Sequence, residues 1–326
     1  MVLRSWYCNI IGCKKKMTGE ILKQEIITEL KQYLPTERIL EQEPMSRHTT
    51  FRVGGPARLF LEIATQEELK STIQLLNDAG ETYYLLGNGS NLLVSDKGYD
   101  GIILHLAKEF NHIEIKDNHI MYCEAGATLA AIARVALAQS LTGFEFAAGI
   151  PGTLGGAVVM NAGAYDGEMK QVITSVRLMT PQGEIVEKSC EEMHFAYRHS
   201  LLKEEAYIVL GASIQLERGQ QEEIRLKMED LAARRKDKQP LEYPSAGSTF
   251  KRPEGYFAAK LIQDAGLRGF QCGGAQVSEK HCGFVVNKGN ATATDIYILI
   301  QEIQAKVWSS FGVKIEPEVI MLGDFQ

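Results

Sequence analysis

The sequence predicts an α+β protein in which two α/β subdomains precede a smaller third α/β domain. Three observations support this prediction. Strand and helix patterns alternate from residue 18 to residue 216, glycine-rich stretches interrupt apolar runs at two places, and a polar turn at residues 218–223 precedes a shorter α/β segment. The chain has 326 residues, enough for two or three domains with sizeable cores.

Helix and strand signals alternate in the first subdomain. Thr18 is placed to cap an amphipathic helix that Pro35 ends, and residues 57–63 form an apolar strand. A capping box begins the next helix, which ends at Gly80, and residues 83–86 form a second strand. This β-α-β unit leads directly into a glycine-containing loop.

That loop combines residues that tolerate positive φ with residues whose side chains form hydrogen bonds. Its two glycines, one residue apart, allow backbone N–H groups to converge on a phosphate or pyrophosphate. An ordinary tight turn between two apolar runs fits the same residues. Leu92 stands where the dinucleotide fingerprint has its third glycine, which argues against a Rossmann domain. The loop residues are Gly87, Asn88, Gly89, Ser90 and Asn91.

The second subdomain contains the most glycine-dense part of the chain, residues 146–165. Its glycines lie among apolar residues, which excludes a flexible linker and favours close approach of the backbone to a large flat ligand. A tightly packed loop between domains is the alternative. The predicted elements after the first glycine loop are strands near 101–105 and 119–124, a helix over 129–139 capped by Thr128, a hairpin of 176–180 and 183–187, and a strand over 206–216.

The third domain is predicted to follow the polar turn. A helix with Ile224, Met228 and Leu231 on one face begins it and ends in a basic run. The remaining elements are a loop at 239–253, a helix over 258–265, a strand over 281–287, and a helix over 294–308 that places Ile296, Leu299, Ile300, Ile303 and Val307 inside.

Charge and cysteine usage narrow the class of partner. The formal net charge of −6 argues against non-specific binding to nucleic acid or to an anionic membrane, and favours small-molecule ligands. The six cysteines form no C-x-x-C pair and no metal-like spacing with histidine, so we expect reduced thiols and no metal site. The apolar opening of the chain is too short to span a bilayer, and we expect residues 1–16 to be a dispensable extension.

Three separate side chains could take part in chemistry. Ser248 lies in a Gly-Ser turn shortly before Lys251 and Arg252, and nearby cations favour the ionised form of a hydroxyl. Arg198 follows an aromatic run in which a guanidinium would need an anionic partner. Glu318 lies beside a proline on an otherwise apolar strand. Locally, an ordinary turn and two solvated surface charges account for the same residues.

Taken together, these blocks resemble one family. Single motifs are weak, but seven of them occur in the same order from about residue 19 to residue 323, and the whole set closely resembles the UDP-N-acetylenolpyruvoylglucosamine reductases. The motifs are TTFRVGG at 49–55, LGNGSNL at 86–92, GIPGTLGG at 149–156, NAGAY at 161–165, YRHS at 197–200, AGSTFKRP at 246–253 and EPEV at 316–319.

The resemblance implies an FAD-binding fold of the vanillyl-alcohol-oxidase type, with a third domain that binds a UDP-sugar. It implies an N-terminal extension at 1–18, FAD-binding subdomains at 19–107 and 108–219, a substrate domain at 220–316, and a C-terminal strand at 317–326 that joins the first subdomain. FAD would be held without a covalent bond. Its predicted contacts are Gly87, Asn88, Gly89, Ser90, Asn91, Gly149, Gly152, Gly155, Asn161, Ala162 and Gly163.

The reaction implied by the resemblance is the reduction of UDP-N-acetylglucosamine enolpyruvate, a cytoplasmic step of peptidoglycan precursor synthesis. NADPH would reduce the flavin, which would pass a hydride to the enolpyruvyl double bond. By the same resemblance Arg198 would stabilise the developing charge, Ser248 would protonate the adjacent carbon, and Glu318 would assist on the carboxylate side. The predicted substrate-binding residues are Lys238, Lys251 and Arg252.

Two departures from the family pattern accompany the resemblance. Ile320 stands where the family often has a basic residue, so one anion contact is missing or comes from elsewhere. The short turn before the helix at Glu222 leaves no room for the extra tyrosine-bearing loop of one subclass, which indicates the other subclass. A flavin oxidase of the same superfamily and a nucleotide-binding paralogue without catalysis are the competing hypotheses.

Overall fold

Seven α-helices and three main β-sheets build the part of the chain described by the computed structural model, residues 19–106 and 109–325. The predicted N-terminal extension and the predicted cap at Thr18 lie outside the described residues. Within the described ranges, no helix combines the length and the apolar character needed to cross a membrane.

The first unit is a mixed four-stranded sheet with two helices. Its strand order is β1-β2-β5-β3, in which β1 is antiparallel and the other neighbours are parallel. Thr65 caps α2 by accepting from the Glu68 N–H, and Gly80 ends it with a φ of 69°, which confirms the predicted helix limits. The elements are α1 (Gly19–Leu30), β1 (Ile39–Pro44), β2 (Pro56–Glu62), α2 (Gln66–Ala79), β3 (Tyr83–Leu86), β4 (Leu92–Val94) and β5 (Tyr99–His105).

The second unit is a five-stranded antiparallel sheet of order β12-β11-β13-β7-β6. Its β11 and β12 form the predicted hairpin, with Met179 opposite Ile185. The elements are β6 (Ile113–Ile115), β7 (Ile120–Glu124), α3 (Leu129–Ala138), β8 (Leu141–Thr142), α4 (Leu154–Met160), β9 (Gly163–Ala164), β10 (Gly167–Glu168), β11 (Ile173–Met179), β12 (Ile185–Ser189), β13 (Ile208–Gln215), β14 (Glu217–Arg218) and α5 (Gln221–Lys238).

The third unit packs a long helix on a small antiparallel sheet of order β15-β16-β17. The five apolar residues predicted inside that helix are all buried. The chain then returns to the first unit, where β18 pairs in parallel with β4. The elements are α6 (Ala258–Asp264), β15 (Gln271–Cys272), β16 (Ala275–Val277), β17 (Val285–Asn287), α7 (Ala293–Phe311) and β18 (Ile320–Leu322).

Two local predictions are wrong. The segment between Pro35 and Arg47, which its polar residues led us to expect as a connection without a strand, contains β1, because an edge strand needs only one apolar face and Ile39 supplies it against β2. The strand expected over 281–287 is limited to β17, because Ser278 Oγ accepts hydrogen bonds from the N–H groups of Lys280 and His281 and holds the preceding residues in a turn.

The contacts of α5 connect the second and third units. This helix was predicted to begin the substrate domain, but it packs on α3 and on the short turn Glu145–Ala147 of the second unit. Ile224 and Arg235 are its buried side chains. The hydrophobic core around α7 in turn includes Phe51 and Leu93 of the first unit. The third unit therefore shares apolar packing with the first, and loops from both meet at the site described next.

Candidate active site

The loop between β3 and β4 keeps its shape through close backbone packing. Gly89 has a φ of 57°, and the Thr50 N–H donates to its carbonyl at 3.2 Å. A Cβ at Gly87 would overlap Thr153 Oγ1, and one at Gly89 would overlap the carbonyl of His48. The fold of the loop therefore requires both glycines, one for close approach and one for its left-handed conformation.

A cavity of about 590 Å³ lies beside this loop. Its lining includes the cationic residues Arg47 and Arg52 together with Gly87 and Asn88. Thr50 also lines the cavity, and its buried Oγ1 has no hydrogen-bond partner among the described residues. A buried polar atom without a partner is unfavourable, so a polar group of a ligand would stabilise this wall. Cations, loop backbone and an unsatisfied hydroxyl together fit an anionic ligand.

The third unit contributes residues 241–245 to the same lining. The cavity is therefore bounded both by loops of the first unit and by the loop that precedes Ser248. This placement puts the predicted pyrophosphate loop and the predicted catalytic loop on neighbouring surfaces.

The second glycine-rich stretch divides into packed and open positions. A Cβ at Gly155 would lie 3.1 Å from Ala125 Cβ, and one at Gly163 would lie 2.6 Å from a carbonyl oxygen of β10. At Gly152 the nearest atom to an added Cβ is Ser90 Oγ, at 3.8 Å. Internal packing therefore explains Gly155 and Gly163, whereas Gly152 lies beside the first loop with space for a ligand.

Asn161 was predicted to contact the cofactor, but its side chain forms hydrogen bonds within the protein. It ends α4 with a φ of 42° and is buried. Its Nδ2 donates to Ala196 O at 3.1 Å and to Glu168 Oε2 at 3.0 Å, and its Oδ1 accepts from the Lys170 N–H at 2.9 Å. Both side-chain N–H groups are thus occupied, and one of them holds the segment that carries the predicted catalytic arginine. Ala162 continues this turn, where its N–H donates to a carbonyl of α4.

Arg198 and Glu318, far apart in the sequence, form a close ion pair with 2.6 Å between Nε and Oε1. Only 23% of the arginine side chain and 12% of the glutamate side chain are exposed. Asn91 of the first loop donates from its side-chain Nδ2 to the Glu318 carbonyl at 3.1 Å, and its backbone carbonyl accepts from the Ile320 N–H at 3.0 Å. Asn91, predicted to bind cofactor, thereby fixes the strand that carries the glutamate.

Backbone pairing places the Ser248 segment beside this ion pair. The Glu318 N–H donates to Thr249 O at 2.8 Å, and the Lys251 N–H donates to Glu316 O at 2.9 Å. Ser248 precedes Thr249 and is exposed. The three predicted catalytic residues therefore come from two paired segments and one facing turn.

The predicted substrate-binding cations differ in their placement. The Arg252 N–H donates to Tyr197 Oη at 3.1 Å, next to the ion pair, and its guanidinium carbon lies 4.1 Å from the Phe257 ring centroid. Lys251 Nζ lies 3.2 Å from Glu316 Oε2, and its positive charge also lowers the pKa of Glu318. Lys238 is the exposed last residue of α5, and no hydrogen bond or ion pair among the described residues joins it to this cluster.

Burial and positive charge act in opposite directions on the carboxyl group of the site. Burial raises the pKa of Glu318, and the neighbouring charges of Arg198, Lys203 and Lys251 reduce that rise without cancelling it. Lys203 is an exposed residue, but partial loss of water around its ammonium lowers its pKa, and the positive charge of Lys251 lowers it further. The site is therefore short of negative charge, which suits an anionic substrate.

Sequence reasoning missed four residues of this region: Thr50, Arg52, Lys203 and Arg235. The first two belong to the motif at 49–55, which was a usable signal. Arg235 donates to the carbonyl of Gly149, so it supports the glycine-rich stretch from α5. Lys203 gave no local signal, because its contact depends on the folding of the turn before it.

Two family models match the chain. One, described as an FAD binding domain, matches residues 57–189. The other, described as the C-terminal domain of UDP-N-acetylenolpyruvoylglucosamine reductase, matches residues 239–322. The first match contains both glycine-rich stretches and the second contains Ser248 and Glu318. The second match begins after α5, which agrees with the packing of that helix on the second unit.

Curated relatives match over nearly the whole chain. The UDP-N-acetylenolpyruvoylglucosamine reductase of Clostridioides difficile (strain 630) is 51% identical over 301 residues, covering 92% of this chain and 99% of the relative. That of Caldanaerobacter subterraneus subsp. tengcongensis is 52% identical over 299 residues, covering 92% and 98%. The solved reductase structure from Thermus caldophilus is 35% identical with a TM-score of 0.76, covering 88% of this chain and 99% of that one.

These findings agree with the geometry of the site. The predicted α+β fold of two FAD-binding subdomains and a third domain is confirmed, and FAD is the cofactor. The cationic cavity wall, the unsatisfied Thr50 hydroxyl and the open surface at Gly152 fit a cofactor with a pyrophosphate and a flat ring. The chain belongs to the UDP-N-acetylenolpyruvoylglucosamine reductases, and it is an FAD-dependent oxidoreductase.

Proposed function

We propose that the chain reduces UDP-N-acetylglucosamine enolpyruvate to UDP-N-acetylmuramate in the cytoplasm, with NADPH as the hydride source. Arg198, Glu318 and Ser248 perform the part of the reaction that belongs to the protein. The observation that supports this assignment is the sheltered 2.6 Å ion pair of Arg198 and Glu318 beside the segment that carries Ser248.

Bound FAD supplies the hydride, and the residues of the chain hold the substrate and manage its charge. As hydride arrives at one carbon of the enolpyruvyl double bond, negative charge develops on the other carbon and on the substrate carboxylate. A guanidinium held close to that position stabilises the charge most as it forms. Arg198 takes this role because the ion pair with Glu318 holds its guanidinium at this place.

Ser248 protonates the carbon that has become negative. Its hydroxyl is exposed on the segment paired with Glu318, so a substrate bound over the ion pair would reach it. The cations Lys251 and Arg252, three and four residues further along the chain, would favour the transient alkoxide that remains. The two cations, with Lys238, also supply charges for the substrate's phosphates and carboxylate.

The cofactor contacts follow from the two glycine-rich stretches. The backbone of residues 87–91 binds the pyrophosphate beside the cavity wall of Arg47 and Arg52. The stretch at 149–156 lies along the ring system, where Gly152 leaves room for a flat surface. Asn161 and Gly163 support this stretch mainly through contacts within the protein.

The experiment is an anaerobic absorbance titration of the FAD-loaded protein. NADPH should bleach the flavin band, and UDP-N-acetylglucosamine enolpyruvate should restore it. A band that bleaches but does not recover would contradict the substrate assignment and favour an oxidase of the same fold. A protein that takes up no FAD even after reconstitution would contradict the reductase assignment altogether.

The variant Ser248→Ala tests the proton donor. We expect bleaching by NADPH to stay within about twofold of the unmodified protein and recovery with substrate to slow by about 10²- to 10⁴-fold, the usual contribution of a general acid. Ser309→Ala, an exposed serine at the end of α7, is the matched control. Recovery at the unmodified rate in Ser248→Ala would show that another group donates the proton.

A further inference from the structure

The turn that carries Arg198 holds this residue in an unusual backbone conformation. Ala196 and His199 exchange two backbone hydrogen bonds of 3.1 Å, which leaves Tyr197 and Arg198 at the tip. Arg198 has a φ of 53°, in the left-handed region that glycine and asparagine occupy more readily. Surrounding contacts must therefore maintain the conformation, and such strain concentrates at functional positions.

Lys203 makes the contact that reaches the tip of this turn. Its Nζ donates to the carbonyl oxygen of Arg198 at 2.6 Å. The short turn Leu201–Lys203 that carries it is anchored, because the Leu201 N–H donates to Met193 O at 2.8 Å and Ser200 Oγ donates to Val159 O at 2.8 Å. An ammonium mounted on a fixed turn thus restrains the orientation of the peptide after Arg198.

The charges around Lys203 are unbalanced. The groups that act on it are the cations Arg198 and Lys251 and the carboxylate of Glu318. Lys251 is also paired with Glu316 at 3.2 Å, but Lys203 has no carboxylate of its own in the ion pairs of the described residues. Three cations around one buried carboxylate repel one another until an anion joins them.

We propose that Lys203 is a positioning residue for the enolpyruvyl reduction, in which its ammonium fixes the Arg198 turn and with it the guanidinium that meets the substrate's developing charge. This inference rests on the proposed function of Arg198. It predicts that Lys203 acts on the half-reaction with substrate and not on flavin reduction by NADPH.

The lowered pKa of Lys203 provides a second readout, which is the pH dependence of the half-reaction with substrate. Partial loss of water around the ammonium and the charges of Lys251 and Arg198 lower the pKa of Lys203, while the charge of Glu318 opposes them. The ammonium form is the one that donates with a positive charge, so recovery of the flavin band should slow as pH rises through this lowered pKa. Lys203→Arg should lose this alkaline decrease, because a guanidinium stays protonated.

The experiment compares Lys203→Met, Lys203→Arg and the matched control Lys260→Met, an exposed lysine paired with Asp264 on α6. We expect Lys203→Met to keep FAD and the rate of bleaching, and to slow recovery with substrate by about 10- to 100-fold, with a smaller change in KM. Lys203→Arg should recover most of the lost rate. The double variant with Arg198→Met should be no slower than Arg198→Met alone, because both changes remove one interaction.

The outcomes separate this inference from the proposed function. Failure of substrate to restore the band in the unmodified protein would overturn the proposed function and this inference with it. An impaired Arg198→Met beside a Lys203→Met as fast as Lys260→Met would overturn this inference alone. If Lys203→Met does not fold, Lys203→Arg decides: near-normal recovery without the alkaline decrease supports the inference, and a folded Lys203→Arg as slow as Arg198→Met overturns it.

Discussion

Two carboxylates lie at contacts between the units of the molecule, and their surroundings are opposite in character. Asp96 follows β4 in the first unit and meets the start of α7 in the third. Glu318 precedes β18 and meets Arg198 from the second unit. Both are single acidic side chains at a contact between units, yet one is satisfied by its surroundings and the other is not.

Asp96 lies where a negative charge is stabilised. Its carboxylate oxygens accept from the N–H groups of Ala293 and Thr294 at 2.8 Å each and from Thr294 Oγ1 at 2.7 Å. The capping box of Thr292 and Asp295 covers the next N–H of the helix. The free donors at the N-terminus of α7 are thus paired, and the helix dipole favours the charge.

Glu318 lies where its negative charge is disfavoured despite an arginine at 2.6 Å. Burial is the largest influence on its pKa, and the net shift is upward. Ionised Glu318 therefore stabilises the folded protein less than protonated Glu318 does. The surroundings of Asp96 therefore fit a structural role, whereas those of Glu318 fit the role we propose for it, in which it holds Arg198 for chemistry at the expense of stability.

Of the changes that test this comparison, removal of Arg198 should have the largest effect, which is on the rate of substrate reduction. Arg198→Met lacks the guanidinium that we propose to stabilise the developing charge, so we expect kcat for substrate reduction to fall by about 10²- to 10³-fold. Flavin reduction by NADPH should stay within about twofold. Anaerobic stopped-flow measurements of the two half-reactions would check this, and equal slowing of both would contradict a role confined to the substrate.

Removal of Asp96 should affect stability and leave chemistry intact. Asp96→Ala leaves two helix N–H groups without their acceptor, and we expect the free energy of unfolding to fall by about 1 to 2 kcal/mol. A urea titration of the FAD-loaded protein would measure this, with kcat at low temperature unchanged.

Asp100→Ala provides the matched control for that prediction. Asp100 lies near Asp96 in sequence and contacts Arg58 at 3.3 Å, but its side chain is 97% exposed. Exposed ion pairs contribute little, so the change should stay under about 0.5 kcal/mol. If the two variants unfolded at the same urea concentration, the structural role assigned to Asp96 would be wrong.

The smallest expected effect is a change in the pH dependence of folding stability in Glu318→Gln. Because the folded-state pKa of Glu318 is raised above its ordinary value, the unfolded chain loses this proton first as pH rises. The stability contributed by the protonated form is complete below the ordinary pKa and is lost as pH rises through the folded-state pKa. Glutamine cannot ionise, so the variant should gain stability relative to the unmodified protein as pH rises from the ordinary glutamate pKa through the raised folded-state pKa.

Melting temperatures of both proteins across that pH range would measure the gain. The same variant should slow reduction of the substrate, since Arg198 loses its charged partner. A Glu318→Gln protein that becomes less stable relative to the unmodified one as pH rises would show that the ion pair stabilises the fold, and the contrast with Asp96 would disappear.

Much of the fold followed from local patterns. Apolar periodicity and caps predicted α2, α3 and α7 with small errors at their ends, because these signals act within a few residues. β1 and the limits of β17 were not predictable in this way. An edge strand and a turn held by Ser278 depend on partners elsewhere in the chain.

The site shows the same division. The ordered motifs predicted the family and the FAD-binding fold, both of which are confirmed, and they led us to propose Arg198, Ser248 and Glu318 as site residues, because ordered motifs preserve residue type and spacing. Only the tertiary structure placed Arg198 against Glu318, put the Lys203 ammonium on the Arg198 carbonyl, and raised the pKa of the buried glutamate. Burial, charge proximity and backbone strain arise when distant segments meet, and no local pattern of residues specifies them.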